Sequence, residues 1–271
     1  MRMNNSLKPI GIFDSGLGGL TSVKAVTEAL PNEDIIYFGD TARVPYGDRS
    51  KETIIEYVRD DIEFLLSHDV KAIVIACNTA DSMARLEMER IFRIPIIGVV
   101  GPAAKKAALN TKNNKIGVIG TNATVKSDAY RKVIGEYNQN AEVFSVACPL
   151  LVPLVEEGRI SPDDKVTRRV LKEYLSPLVV QEIDTLVLGC THYPLLSPII
   201  TQILPGVELI DSGEAATESL KRKLAENSLS APKDKKGTVR YFVSDNGESF
   251  ARHGTVFMGH ELHGKVTEVS I

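Results

Sequence analysis

The chain has 271 residues, 43% hydrophobic and 25% charged, which suits a globular protein larger than one average domain. Its 32 basic and 35 acidic residues leave a formal charge of −3, so no cationic excess is available for a nucleic-acid backbone, and the lack of tryptophan disfavours base stacking. No apolar run reaches membrane-span length and the polar start at 1–9 resembles no signal segment, so a cytoplasmic protein without membrane partners is expected.

The first apolar run, 10–13, reads as a strand and enters FDSGLGGLT at 13–21, a polar corner and glycine turn that opens a helix. Such a turn brings backbone N–H groups close to a ligand, and a helix start favours negative charge. A nucleotide fingerprint is one reading, with Asp40 after the next strand in the place of an acidic ribose ligand. The third glycine of G-x-G-x-x-G falls on Thr21, however, and a structural tight turn is the other reading. Asp14 is a carboxylate beside an apolar strand and calls for a hydrogen-bond partner or a cationic ligand.

A second strand, 35–38, runs into YFGDTARVPYGDRS at 37–50, an ordered loop. The stretch Pro45, Tyr46, Gly47 offers backbone N–H groups and the Tyr46 hydroxyl to a carboxylate, or is a plain turn. Ile54, Ile55, Val58, Ile62, Leu65 and Leu66 recur at helical spacing across 51–67. The strand 72–75 leads to ACNTA at 76–80, where Cys77 lies between strand and helix, Asn78 or Thr79 is the expected cap, and the helix start should lower the thiol pKa. A further strand follows at 96–99.

The second half alternates in the same way, with strands at 115–119, 142–145, 185–188 and 207–210 and an amphipathic helix at 163–181. Thr121 and Thr124 follow the first of these strands. Cys148, among apolar residues and prolines, reads as core, and Glu156 and Glu157 close that apolar run. GCTHYP at 189–194 repeats the strand-end thiol as Cys190, followed by Thr191 and by His192, a suitable activator. The tail holds a lysine-rich loop at 231–237, a strand-like 238–244 and a last apolar run ending at Ile271, while His68, His253, His260 and His263 read as surface or structural.

The halves resemble each other. IGIFDS at 10–15 is similar to IGVIGT at 116–121, and IVIACNT at 73–79 to LVLGCTH at 186–192. Two α/β units are expected, each a mainly parallel sheet flanked by helices and each carrying one strand-end cysteine. Ligands in such sheets bind beyond the carboxyl ends of the strands, so the polar corners should meet in one cleft between the units. Three widely spaced cysteines make a poor disulfide framework. A zinc site lacks a close C-x-x-C pair, and a cysteine hydrolase would leave Cys77 without a role.

FDSGLGG, YFGDTARVPYG, ACNTA and GCTHYP, in this order, closely resemble glutamate racemase. The resemblance implies two pseudo-symmetric domains, 1–98 plus 211–271 and 99–210, with the tail packed on the first. It implies a homodimer that uses neither pyridoxal phosphate nor metal and supplies D-glutamate for peptidoglycan. It assigns Cys77 to the α-proton of D-glutamate and Cys190 to that of L-glutamate, with Asp14 and His192 assisting them and Glu156 or Glu157 helping the second. Asp14, Ser15, Pro45, Tyr46, Gly47, Asn78, Thr79, Thr121, Thr124, Thr191 and His192 would bind substrate. Aspartate is the nearest alternative substrate, since one methylene alters affinity only modestly. A nucleotide-binding regulator using the 16–19 turn is the alternative of another class. The short segment before Ile10 leads to the expectation that no large activator-binding arm is present.

Overall fold

A computed structural model of the chain describes residues 5–271; of the polar start, residues 1–4 lie outside the described residues. The first half runs β1 (Ile10–Asp14), α1 (Leu20–Ala29), β2 (Ile35–Gly39), α2 (Lys51–Ser67), β3 (Ala72–Ile75), α3 (Asn78–Ile91) and β4 (Ile96–Gly98). The second begins with α4 (Val100–Asn110), β5 (Lys115–Gly120), α5 (Asn122–Ser127), α6 (Ala129–Tyr137), β6 (Glu142–Ala147) and α7 (Leu151–Glu156). It continues with α8 (Lys165–Val180), β7 (Thr185–Gly189), α9 (Ser197–Ile203) and β8 (Glu208–Asp211). The tail adds α10 (Ser212–Glu226), β9 (Val239–Val243), α11 (Gly247–Met258) and β10 (Val266–Glu268).

Two parallel sheets result, with strand orders β10-β9-β2-β1-β3-β4 and β6-β5-β7-β8. The order β2-β1-β3-β4 in the first sheet corresponds to β6-β5-β7-β8 in the second, so the repeat seen in the sequence is a repeat of topology. Helices cover both faces of the central strands, which is why β1, β2 and β7 are buried along their whole length and read as continuous apolar runs. The tail returns to the first sheet: β9 pairs with β2, and β10 with β9. α10 packs against both α1 and α4, and so touches helices associated with each sheet.

Local chemistry sets the element ends. Ser50 caps α2 by accepting from the Thr53 N–H, and Ile54, Val58, Ile62 and Leu65 form its buried stripe. Each such side chain contributes about 1.5–3 kcal/mol on burial. Asp61 lies on the same stripe and is fully buried, an unusual place for a carboxyl group. α8 begins at Lys165, two residues later than the periodicity predicts, because Asp164 caps it through the Thr167 N–H at 2.8 Å. The final apolar run forms a helix, α11, before the short β10. Its cap is Asn246, which accepts from the Ser249 N–H at 3.2 Å.

No helix among the described residues is long and apolar enough to cross a membrane.

Candidate active site

The carboxyl ends of β1, β3, β5 and β7 carry Asp14, Cys77, Thr121 and Cys190 respectively. Ser15, Pro45, Tyr46, Gly47, Cys77, Asn78, Thr79, Thr121, Glu156, Cys190, Thr191 and His192 all line one cavity of about 220 Å³. Drug-sized sites usually enclose ~300–1,000 Å³, so this volume suits a small metabolite. A larger groove, about 1180 Å³, lies along α3, α4, α6 and α10, but no cysteine or histidine lines it. The chemistry points to the smaller cavity. Each sheet donates one thiol to it, and both thiols are buried and free.

Cys77 is itself the residue that precedes α3, with extended backbone (φ −67°, ψ 115°), so Asn78 and Thr79 do not cap the helix as expected but occupy its first turn. Their side chains serve other partners. Asn78 donates to Ser212 Oγ at 3.2 Å and accepts from the Tyr130 hydroxyl at 2.5 Å. Thr79 meets Thr121 Oγ1 at 2.8 Å and Thr124 Oγ1 at 3.3 Å, which ties the first sheet's corner to the second's. Thr124 is buried behind this contact and is not among the residues lining the cavity.

The helix start does not make Cys77 acidic. Burial, with the charge of Asp14 beside it, pushes this thiol up to about 12, outweighing the hydrogen bonds from the Ala80 N–H and from Ser15. Ser15 Oγ lies 3.7 Å from the sulfur. Asp14 is the last residue of β1 and is almost wholly buried; it stands behind the cavity wall rather than in it. Its carboxylate accepts from the Gly16 N–H at 3.0 Å and from Thr191 Oγ1 at 3.5 Å. Burial raises its pKa against the lowering influence of His192 and these donors.

On the second thiol, His192 Nδ1 lies 3.8 Å from Cys190 Sγ, and His192 Nε2 lies 3.0 Å from Glu156 Oε1. Burial alone would lower the imidazole pKa, but the hydrogen bonds and charges of Cys190 and Glu156 prevail and raise it to about 10. Glu156 ends α7 and reaches the imidazole; the adjacent Glu157 is exposed and has no such contact. The Phe257 ring meets His192 edge-on at 5.3 Å, so the tail's α11 also buttresses the imidazole. Thr191 Oγ1 lies 3.4 Å from His192 Nδ1 as well as touching Asp14, and so stands between the two helper groups. Unlike Cys77, Cys190 precedes no α-helix: Tyr193–Leu196 form a 3₁₀ turn with Pro194 near its start before α9. A tighter turn therefore stands after Cys190 where the start of α3 stands after Cys77.

The glycine corner serves packing. A Cβ on Gly18 would come within 2.1 Å of Thr191 Oγ1 and 2.5 Å of His192 Nδ1, and one on Gly19 within 2.4 Å of Asp14 Cβ. α1 starts only at Leu20. Gly18 thus brings the 15–19 turn against Thr191 and His192 of the other unit, and Gly19 packs it on Asp14 and Tyr37 of its own. The Asp40 carboxylate, cast as a possible ribose ligand, is fully buried and bonded to Tyr46, Arg43 and Ser244, which removes it from any nucleotide role. Cys148 is buried, and its carbonyl accepts from the Tyr193 hydroxyl at 2.9 Å.

One feature was illegible in the sequence. Tyr46 lines the cavity, yet its hydroxyl points inward to Asp40 at 2.5 Å and Asp61 at 3.0 Å. The phenol thus anchors the turn instead of meeting a ligand, and the neighbouring backbone is left to do so. Only Asp61's place on the apolar stripe of α2 hinted at this arrangement.

The chain matches the Asp/Glu/Hydantoin racemase family model over residues 19–220. It is 50% identical over 260 residues to a glutamate racemase of Chlorobaculum tepidum, covering 95% of each chain. It is 48% identical over 256 residues to one of Neisseria meningitidis serogroup B, covering 94% of each. Among solved structures, glutamate racemase from Francisella tularensis in complex with D-glutamate superposes with a TM-score of 0.90 at 41% identity, covering 98% of both chains. The RacE1 isoform from Bacillus anthracis gives 0.92 at 38% identity, covering 97% of this chain and 98% of the other.

Proposed function

The chain belongs to the Asp/Glu/Hydantoin racemase family, and from that premise we propose that it interconverts L- and D-glutamate by two-thiol proton transfer without a cofactor. The observation that carries the mechanism is the pair of buried thiols, Cys77 and Cys190, supplied to one small cavity by corresponding corners of two similar sheets.

Racemisation removes a proton from one face of the α-carbon and returns one to the other, so a base on a single side is insufficient. From L-glutamate, the Cys190 sulfur as thiolate takes the α-proton, and the electron pair passes into the α-carboxylate. The Cys77 thiol then delivers its proton to the opposite face, leaving the enzyme as Cys190 thiol and Cys77 thiolate. From D-glutamate the roles exchange. Cys77, held as a thiol by burial and Asp14, is ready for the first direction. For the second, Asp14 is placed to help its sulfur lose a proton once the substrate ammonium adds positive charge nearby. His192, held by Glu156, is the corresponding helper of Cys190. Developing negative charge would be stabilised by N–H groups of the Ser15, Gly47 and Thr79 corners, an effect often worth several kcal/mol in a water-poor site. Ser15, Pro45, Tyr46, Gly47, Asn78, Thr79, Thr121, Thr191 and His192 are the proposed substrate contacts; Asp14 and Thr124 support them from behind.

Purified protein treated with a chelator and free of pyridoxal phosphate should convert L-glutamate to the racemate, followed by loss of circular dichroism, and should turn over L-aspartate more slowly. Absence of any α-proton exchange with either amino acid would reject the proposal.

The proposed domains are residues 1–98 with 211–271, and 99–210; the tail's return to the first sheet supports this division, although Asp211 ends β8 of the second sheet. We also place the chain in the cytoplasm, as a homodimer feeding D-glutamate to peptidoglycan. A D-glutamate requirement in cells lacking the protein and dimeric sedimentation check these readings.

A further inference from the structure

A group of ionisable residues lies beneath the cavity, outside the proposed proton-transfer path. Asp40 follows β2; Arg43 and Tyr46 lie on two 3₁₀ turns, Thr41–Arg43 and Tyr46–Asp48; Asp60 and Asp61 come from α2. Arg43 Nε donates to Asp40 Oδ2 at 2.6 Å, Nη1 to Asp60 Oδ2 at 2.7 Å and Nη2 to Asp61 Oδ1 at 3.0 Å. Its guanidinium also lies over the Tyr57 ring at 4.3 Å. Ser244, at the end of β9, donates to Asp40 Oδ1 at 2.9 Å. Asp40 and Asp61 are fully buried, whereas the side chain of Asp60 is 47% exposed.

The Tyr46 hydroxyl touches both buried carboxyls, Asp40 Oδ2 at 2.5 Å and Asp61 Oδ2 at 3.0 Å. A phenol has one hydrogen and can donate to only one of them. The second contact is favourable only if the other carboxyl carries a proton and donates to the phenol oxygen. Charge gives the same answer. One partly buried guanidinium balances one buried carboxylate, and a second would lack a counter-ion in a medium that penalises it strongly.

We propose that Asp61 is held as a neutral carboxylic acid whose O–H donates to Tyr46, which in turn donates to Asp40, and that this chain of hydrogen bonds fixes the 45–47 turn that receives the substrate carboxylate. Asp61 is thus a positioning residue: it acts through Tyr46 and does not line the cavity. The choice between the two acids follows from their neighbours. Asp40 receives Arg43, Tyr46 and Ser244, while Asp61 receives only the longer Arg43 bond. Burial, reinforced by the charges of Asp40 and Asp60, prevails over the charge of Arg43 and the hydrogen bond with Tyr46 and holds the Asp61 carboxyl well above the usual carboxylate range. The substrate-binding part rests on the racemase reading; the protonation part does not.

The test compares Asp61→Asn, Asp61→Ala and Tyr46→Phe with the wild-type protein. Asn can donate from the position of the proposed acid O–H, so Asp61→Asn should retain KM for both enantiomers within about twofold. Asp61→Ala should raise KM about tenfold with kcat little changed, the signature of weakened uniform binding. Tyr46→Phe should do the same and serves if the alanine variant fails to fold. Infrared difference spectra between wild type and Asp61→Asn at neutral pH should contain the carbonyl band of a protonated carboxyl. Because the folded-state pKa is raised, the contribution of Asp61 to stability is complete below the ordinary carboxylate value and is lost as pH rises from there to the folded value, a slope that Asp61→Asn should remove. A missing carbonyl band, or a neutral-pH melting point lowered by Asp61→Asn, would show an ionised Asp61 and overturn the protonation. Unchanged KM in both Asp61→Ala and Tyr46→Phe would overturn the positioning. A wild-type protein that exchanges no α-proton would defeat the racemase reading while the infrared and stability results still decide the state of Asp61.

Discussion

Replacing either Cys77 or Cys190 by alanine is expected to abolish interconversion of the glutamate enantiomers, to below about 10⁻⁴ of the wild-type rate, because each removes the sole proton carrier on one face. The two directions must fail together. Mirror-image substrates have an equilibrium constant of one, so kcat/KM cannot differ between them in any variant. The asymmetry appears instead in isotope exchange. In deuterated water, Cys77→Ala should still exchange the α-proton of L-glutamate, on the side Cys190 serves, and leave D-glutamate unlabelled. Cys190→Ala should show the converse. Cys148→Ala is the control: that thiol is buried in the core against the backbone of its own segment and should leave both rates unchanged. Full racemisation in either catalytic variant, or labelling of both enantiomers by one of them, would end the two-thiol mechanism.

Much of the architecture was legible because parallel sheets buried on both faces demand continuous apolar runs, and those runs are visible. The limits 72–75 agree with β3, and 51–67 with α2, where Ser50 marks the start and the apolar stripe the length. The similarity of the segments around Cys77 and Cys190 likewise appears as equivalent sheet order. What remained hidden depends on partners distant in the chain. The carboxylate of Asp14 looked like a ligand group, but Thr191, 177 positions away, and the backbone of its own corner occupy it. The Tyr46 hydroxyl looked available to a substrate, but α2 sends Asp61 to meet it. The glycine corner allowed both a nucleotide turn and a structural one, since local geometry is the same whether the close neighbour is a phosphate or His192. Pattern gives the side of an element that is buried; it does not say which polar group waits there. The missed α11 has the same origin, because GESFARHGTVFM mixes glycine and β-branched residues whose helical weakness is offset by packing of Phe250 and Phe257 into the core.

His192→Asn is expected to lower kcat/KM in both directions by roughly 10²–10⁴, the usual contribution of a positioned acid–base group. The imidazole pKa is raised to about 10 because Cys190 and Glu156 overcome the opposing effect of burial. The imidazolium is then the resting form at neutral pH, able to support negative charge on the Cys190 sulfur or return a proton to it. Wild-type kcat/KM should fall as pH rises through about 10 on account of this group, and the fall should be absent from the residual activity of His192→Asn. Stability carries the same sign. The folded value lies above the ordinary 6.5, so the contribution is complete below about 6.5 and is lost as pH rises towards 10. Glu156→Gln removes the anion 3.0 Å from Nε2 and should move the kinetic limb to lower pH while preserving more activity than His192→Asn. Because the equilibrium constant forbids directional differences in kcat/KM, the side on which His192 works must be read from α-deuterium isotope effects. Its loss should slow proton transfer at Cys190, making that step more rate-limiting and raising the isotope effect with L-glutamate, whose proton Cys190 removes, above that with D-glutamate. An equal isotope effect for both enantiomers, or an unaltered pH profile in His192→Asn, would remove His192 from the proton path and leave it the packing role that Phe257 already implies.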